Sequence, residues 1–391
     1  MYWLWVLLAA AQCTLLYVLV RTGQRLPLRE AMDARANDDL PQAQWPSVGL
    51  VIPVAGSDAR MERALRSLLA QDYPRVTPVL VTQSSDDPAV EIIARLARDF
   101  PAMRHVSAGV ACGCGQKNWN SLRGVEALGD TVDVYAFCDS THLARPDFLR
   151  HLVGPIARSE AMFSTGYHMV EPGDEQRVTL AYALCVLLMR LLQALSPFTQ
   201  LWGGAMSMTR AAWEQQNIAR LWHENVVDDC SLSALLQARG VPVRLCPGAL
   251  LRTRAAAHSR SVWHAWMDRQ VLFLKFCMPG QWILLGVLCA MMLTPILCAA
   301  VSLLGGLVHL GSGAGVLLSL LWLAGILFDL HLWRGMLSRH VSLWPWFLAF
   351  VEAAAMFAWV YQDSLRARAL SWHGIRYEVG RGGRVLRTDR R

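Results

Sequence analysis

Val132-Asp133-Val134-Tyr135-Ala136-Phe137-Cys138-Asp139-Ser140 is the stretch that decides the fold. An apolar run of strand length, Val132 to Phe137, stops at a carboxylate, Asp139. Upstream, Val48-Gly49-Leu50-Val51-Ile52-Pro53 is a second β-branched run, closed by proline, and Val79-Leu80-Val81 is a third. Between them Met61, Leu65, Leu68 and Leu69 recur at helical spacing, and Asp87-Pro88 opens a helix that runs to about Arg98. Val241 to Leu245 reads as a late strand. This alternation predicts an α/β domain with a doubly wound, mostly parallel sheet. Ligands of such sheets bind beyond the carboxyl ends of the strands, where Asp87 and Asp139 fall.

The rest of the chain is unusually apolar. Of 391 residues 54% are hydrophobic and 17% are charged, with mean hydropathy +0.29; soluble proteins carry roughly 25% charged residues. Residues 2–20 form an uncharged apolar run followed by Arg21, Arg25 and Arg29, which reads as a retained anchor with its carboxyl end in the cytoplasm. Residues 30–46 read as a polar loop, and residues 178–195 as an interfacial helix on the cytoplasmic face. Residues 282–308 and 315–333 are spanning candidates joined by a glycine-rich link, and 343–361 is a third. Three full crossings would put the arginine-rich tail outside, against the positive-inside tendency, so the third segment is either re-entrant, interfacial or an exception. The expected division is an anchor at 1–21, a cytoplasmic domain at 22–278, a membrane region at 279–362 and a basic tail at 363–391.

Net charge is +7, almost all from arginine, since Lys117 and Lys275 are the only lysines. In a membrane protein this implies cytoplasmic loops against anionic headgroups. No basic stripe interleaves with aromatics, which argues against nucleic acid as a partner. The ten cysteines are scattered, and Cys112-Gly113-Cys114 is a poor zinc spacing, so the domain is expected on a reducing, cytosolic side.

The polar residues with chemical potential come in a set order. Asp87 and Asp139 follow strands; Asn225-Val226-Val227-Asp228-Asp229 comes later; then Trp266-x-x-Arg269-Gln270 precedes the membrane region. Moving a sugar from a nucleotide requires holding a diphosphate, stabilising it as it leaves, and deprotonating the incoming hydroxyl. Asp139 could hold the divalent cation that serves the first two tasks. Asp229, beside the like charge of Asp228, suits a general base, and Arg269 a fixed positive charge near the phosphates. Each residue has a plainer reading. Asp139 could be a turn residue, Asp228-Asp229 a cap for a helix at 231–238, and Asp86-Asp87 a helix start. Trp263 and Trp266 could form an aromatic face on the membrane, and His142 reads as a structural or surface histidine.

The ordered set resembles the family 2 type of glycosyltransferase with its GT-A fold, and within it ceramide glucosyltransferase and its bacterial relatives. Gln83-Ser84-Ser85-Asp86-Asp87-Pro88-Ala89 is similar to the first Asp segment, and Gly115-Gln116-Lys117-Asn118-Trp119-Asn120 to the lysine-containing loop. Cys138-Asp139-Ser140 is similar to the second Asp site, Gly204-Ala205-Met206-Ser207 to the small-residue loop, and Asp228-Asp229 to the third site. Phe328-Asp329 with Arg334-Gly335, Glu352, and Trp372-x-Gly374-x-x-Tyr377 extend the likeness towards the carboxyl terminus. Two departures stand out: Gln270 occupies the place of the tryptophan of (Q/R)xxRW, and Asp139-Ser140-Thr141 lacks the second acid of DxD.

The resemblance implies an inverting transferase in a bacterial inner membrane, multi-pass, with its catalytic domain cytoplasmic. The donor would be a UDP-sugar, by default UDP-glucose, and the acceptor a lipid hydroxyl, ceramide or similar. The cofactor would be a divalent cation, Mn2+ or Mg2+, on Asp139. Asp229 would be the base, and Asp87, Lys117, Asp139, Asp228, Trp266, Arg269 and Gln270 would bind substrate. The alternatives are a polyprenyl phosphate, hopanoid or polysaccharide acceptor, or a non-catalytic scaffold.

Overall fold

The computed structural model describes residues 2–58, 60–308 and 311–390. Seven strands form the central sheet: β1 Val48–Pro53, β2 Val76–Thr82, β3 Arg104–Ser107, β4 Val134–Cys138, β5 Phe163–Pro172, β6 Ala205–Thr209 and β7 Arg244–Ala255. Their spatial order is β3-β2-β1-β4-β6-β5-β7. All neighbours pair in parallel except β6, which is antiparallel to both β4 and β5.

Strand pleating explains why these runs are apolar throughout. Leu50 and Ile52 of β1, with Val134, Ala136 and Cys138 of β4, enter a core beneath the helices Met61–Leu69, Ala89–Asp99 and Phe148–Ala157. Val51, Tyr135 and Phe137 point the other way, to the helices Gln116–Leu128, Ile218–Glu224 and Asp229–Ala238. Successive side chains alternate faces, so a strand covered on both sides has no polar side to show. Gly124 lets the helix Gln116–Leu128 lie close on β1, because a Cβ there would strike Val51.

The late strand differs from its expected position: β7 starts three residues later and runs to Ala255, through Arg252 and Arg254. The first helix also differs. It continues without a break from Tyr2 to Asp38, so the polar loop expected at 30–46 is mostly helix. At ~1.5 Å per residue it is about 55 Å long, well beyond the ~30 Å of a bilayer core. Its second half lies on the α/β domain, where Asp33 pairs with Arg158 (3.6 Å) and Arg244 (3.1 Å).

Among the described residues four helices are long and apolar enough to cross a membrane: the first one, Pro279–Leu307, Gly313–Arg334 and Leu343–Ser364. The first three pack together. Gln12 ties them, with its Nε2 donating to Met292 O (2.9 Å) and its Oε1 accepting from Trp322 Nε1 (2.8 Å). Part of the link between Pro279–Leu307 and Gly313–Arg334, residues 309 and 310, lies outside the described residues, as do residue 1 of the anchor and residue 391 of the tail.

Leu343–Ser364 is arranged otherwise. At its amino end the Ser342 N–H donates to Glu175 (3.2 Å); at its carboxyl end Lys275 Nζ donates to Ala367 O (2.8 Å). In the middle, Glu352 pairs with Arg177 and Arg260. Both ends and the centre are therefore tied to the α/β domain, while the helix also packs on Pro279–Leu307 and Gly313–Arg334. The helix expected to be interfacial, here Arg177–Gln193, is instead covered, with Thr179 through Leu187 all buried against β5 and Leu343–Ser364. Asp329 does not pair with Arg334 or His331, which bond each other (2.8 Å); its carboxylate is buried and makes no ion pair among the described residues.

The basic tail is not a loose segment. β8 Ala369–Trp372, β9 Ile375–Val379 and β10 Val385–Arg390 form an antiparallel sheet in the order β10-β9-β8. His373 (φ 48°) and Gly374 (φ 75°) make the tight left-handed turn between β8 and β9. Leu370, Ile375, Tyr377 and Val379 pack on Val226, Val227, Phe273 and Cys277, next to the site described below.

Candidate active site

Lys117 organises the site. It stands in the first turn of the helix Gln116–Leu128, where a cation opposes the helix dipole. The turn is stitched to the segment that leads into Asp228-Asp229. The Gly115 N–H donates to Asn225 O (2.9 Å), as does Asn118 Nδ2 (2.9 Å), and a Cβ on Gly115 would strike Val226 O. This stitching carries the Lys117 ammonium to 2.8 Å from Asp139 Oδ1 and 3.1 Å from Asp228 Oδ2. It also donates to Gly203 O (3.1 Å).

The loop between the helix Arg177–Gln193 and β6 closes over this group. The Gly203 N–H donates to Asp229 Oδ2 (2.7 Å), and the Asp139 N–H donates to Gly204 O (3.2 Å). A Cβ on Gly203 would lie 2.8 Å from both Asp228 oxygens and from Lys117 Nζ, so only glycine fits. Asp229 also begins the helix Asp229–Ala238, its Oδ1 accepting from the Cys230 N–H (2.6 Å). The cap reading of this pair does not hold: Asp228 stands at the N-cap position with helical backbone and its side chain makes no capping bond.

Three carboxylates face one ammonium, an excess of negative charge, and the protonation states follow from it. Burial works against the charged form of Lys117, but Asp139, Asp228 and Asp229 outweigh it and hold the ammonium firmly protonated. Asp229 is pushed up to about 7, first by burial and then by Asp228; Lys117 and the two backbone N–H groups oppose the rise. Asp228 is 1% exposed, and its Oδ2 faces the ammonium without hydrogen-bond geometry.

Lys117, Asp139, Asp228 and Asp229 are thus brought together. Asp87 lies on the same carboxyl edge of the sheet but touches none of them. Its Oδ1 accepts from the Gly56 N–H (2.8 Å) and the Ala89 N–H (2.9 Å), holding the loop after β1 to the start of the next helix. Arg269, on the helix Arg260–Cys277, makes no hydrogen bond or ion pair among the described residues, and burial lowers its pKa from the usual guanidinium value. Trp266 meets Tyr182 edge-on (5.2 Å) and packs against the apolar cluster that the long helices share. Gln270 faces an apolar cavity of about 170 Å³ where the long apolar helices meet the helices Arg177–Gln193 and Arg260–Cys277, lined also by Leu188, Leu274, Met292, Trp333 and Phe357.

Several neighbours had no chemical role assigned from the sequence. His142, read as a structural or surface histidine, is buried, beside Asp139, its Nε2 3.9 Å from Asp139 Oδ2. His168 stacks on Trp202 (4.7 Å, 6°), and Tyr167 lies 5.2 Å from Trp202, which together wall the side next to Asp229. His373, at the tip of the tail hairpin, is within electrostatic reach of both Arg269 and Asp139. Tyr377 Oη accepts from the Gln116 N–H (3.3 Å), and Arg390 donates to Ala111 O and Gln116 Oε1 (both 3.2 Å). The spacing of His142, three residues after Asp139, and the alternation of Ile375, Tyr377 and Val379 were available signals.

The donor set can be tested for a cation. Among the described residues no three His, Cys, Asp or Glu side chains gather as a metal shell. Asp139 Oδ1 is engaged by Lys117 while Oδ2 is open, and the cluster is short of positive charge. One divalent ion fits here if its remaining ligands are oxygens from substrate and water.

Residues 3–385 match the model of glycosyl transferase family 21. The chain belongs to that family, the ceramide glucosyltransferase family of the family 2 clan, and it is a glycosyltransferase. Among solved structures it is similar to a mannosyltransferase from Pyrobaculum calidifontis, PcManGT, in complex with GDP-Man and Mn2+. The TM-score is 0.54 at 16% identity, covering 91% of this chain and 99% of that one. That likeness establishes a GT-A-type fold. A mycobacterial protein matches more loosely (TM-score 0.38, 18% identity, 60% of this chain and 76% of that one), too loosely to inform the fold.

Proposed function

We propose that this chain transfers a hexose, by default glucose, from a UDP-sugar to a lipid hydroxyl, ceramide or a ceramide-like lipid, at the cytoplasmic face of a membrane. The observation that carries the proposal is the cluster in which Lys117 bridges Asp139 and Asp228 beside a base-poised Asp229. The donor diphosphate lies against Lys117 and the amino end of its helix, whose dipole favours an anion. Asp139 and substrate oxygens hold a divalent cation, which when bound offsets the negative charge of the cluster and of the departing UDP. The related mannosyltransferase, crystallised with GDP-Man and Mn2+, supports a nucleotide-sugar donor and a cation. Arg269, with no protein partner, contributes positive charge on the membrane side of the same space.

Asp229 accepts the proton of the acceptor hydroxyl. The oxygen attacks the anomeric carbon as the bond from that carbon to the UDP oxygen breaks on the opposite side, giving an inverted β-glycoside. A pKa near 7 matches a base that works at neutral pH. A phosphate acceptor is already ionised and needs no such base, so Asp229 favours the hydroxyl reading. The apolar cavity at Gln270, one residue from Arg269, favours a lipid as its bearer. An engineered cavity of ~150 Å³ with apolar walls stays dry and takes up hydrocarbon.

Residues 2–38, 279–307 and 313–334 supply three crossings, and the helix Leu343–Ser364 returns along the cytoplasmic domain, which keeps the tail sheet on the side of the site. The test is incubation of the purified chain with UDP-glucose and ceramide, followed by UDP release and lipid mass spectrometry. A hexosylceramide with stoichiometric UDP is expected. Product formed only with a polyprenyl phosphate would overturn the acceptor class, and no UDP release with any acceptor would favour a scaffold.

A further inference from the structure

We propose that His142 is a second protein ligand of the cation, paired with Asp139 Oδ2. The inference rests on the metal-assisted transfer proposed above and adds to it a residue that the DxD pattern does not contain. Thr141 stands where the second acid of that pattern would be. The fold instead brings in an imidazole one residue further on.

Asp139 has one oxygen to spare. Its Oδ1 is bound to Lys117 at 2.8 Å, and its Oδ2 faces His142 Nε2 at 3.9 Å. That separation is too long for a hydrogen bond. Two metal–ligand bonds of about 2.1 Å each put their ligand atoms ~3.0 Å apart when cis and ~4.2 Å apart at most, so the pair is within reach of one ion. A small rotation of Asp139, 32% exposed, closes the pair onto one ion, whereas His142 is fixed.

The contacts at Nδ1 are compatible with a tautomer in which Nε2 is free. His142 Nδ1 lies 2.6 Å from Thr253 Oγ1, and the same oxygen lies 3.3 Å from His168 Nδ1. A hydroxyl has a single proton, so Thr253 donates to one ring and accepts from the other. With His142 Nδ1–H donating to Thr253, and Thr253 donating to His168, the lone pair of His142 sits on Nε2, aimed at Asp139. Metal-bound histidines are commonly oriented by such a bond at the far nitrogen. His168 and Trp202 pack against the His142 ring (4.9 and 5.4 Å between centroids) and hold its plane. An imidazole ligand also favours a first-row transition ion over Mg2+.

The test is pulsed electron paramagnetic resonance of Mn2+ bound to the full chain in detergent, with UDP and in parallel with GDP. The expected result is nitrogen modulation from a directly bound imidazole. It should change character when histidine is labelled with ¹⁵N in the unaltered chain, and vanish in His142→Gln with Mn2+ affinity down about tenfold or more. Bound Mn2+ without nitrogen modulation, or modulation that survives His142→Gln, would overturn the assignment of His142 and leave the transfer reading intact. No Mn2+ bound by the unaltered chain with either nucleotide would overturn both.

Discussion

Asp229→Asn should make the chain more stable at alkaline pH even as it removes the base. In the folded chain Asp229 is raised from its ordinary 3.8 to about 7. A carboxyl whose folded pKa exceeds its unfolded value destabilises the fold once the unfolded chain can ionise. The penalty grows as pH climbs from about 4 and levels off above about 7. Three units at ~1.4 kcal/mol each give at most about 4 kcal/mol between pH 4 and pH 8. Asparagine carries no such term, but it has a cost of its own. Asp229 accepts from the N–H groups of both Gly203 and Cys230, and asparagine has one acceptor oxygen. One buried N–H is left unpaired, for about 1–3 kcal/mol at every pH. The pH-dependent part is isolated by following thermal unfolding of both proteins in detergent across pH 4–8 and taking the difference of differences. Asp229→Asn should gain on the parent as pH rises, by several degrees in Tm. A constant offset would mean that Asp229 is not a buried, charge-stressed carboxyl, and its role as a base would lose its physical ground.

Gly203→Ala should cost activity severely, because its methyl group has to displace Asp228 or Lys117; overpacking of this kind costs about 1–3 kcal/mol, and unchanged kcat/KM would show that the loop is not closed over the cluster. Arg269→Ala should lower turnover and donor affinity together, while loss of acceptor affinity alone would assign Arg269 to the lipid. Cysteines placed at His340 and Arg366, both exposed, should label from the same side of the membrane above the native background. Labelling from opposite sides would mean that Leu343–Ser364 crosses.

β1, β2 and β4 were legible because parallel strands buried on both faces are nearly pure apolar runs, as in Leu50, Val51 and Ile52, whereas β3, a short exposed edge strand, went unread. β5 and β6 were not, because Ser164, Thr165, His168 and Ser207 supply buried polar groups that bond one another and the backbone. The second half of the first helix escaped for a related reason: Asp33 and Asn37 are turned inward, so no hydrophobic period marks it. The tail was read by its charge, although every second residue from Ile375 to Val379 is buried. In the site, the order of Lys117, Asp139, Asp228 and Asp229 in the sequence anticipated their meeting. His142 was read as structural or surface because a single histidine carries no further signal until its neighbours in space are known. Gly203 was passed over because its necessity lies in what a side chain would strike.

The most direct test of the proposed chemistry is the turnover of Asp229→Asn measured beside its donor affinity, with UDP-glucose and ceramide. The account expects kcat lower by about 100-fold or more, on the usual scale of a lost general base, with the donor dissociation constant nearly unchanged. Near-normal turnover would contradict it, since the proton would then leave by a route that does not pass through Asp229.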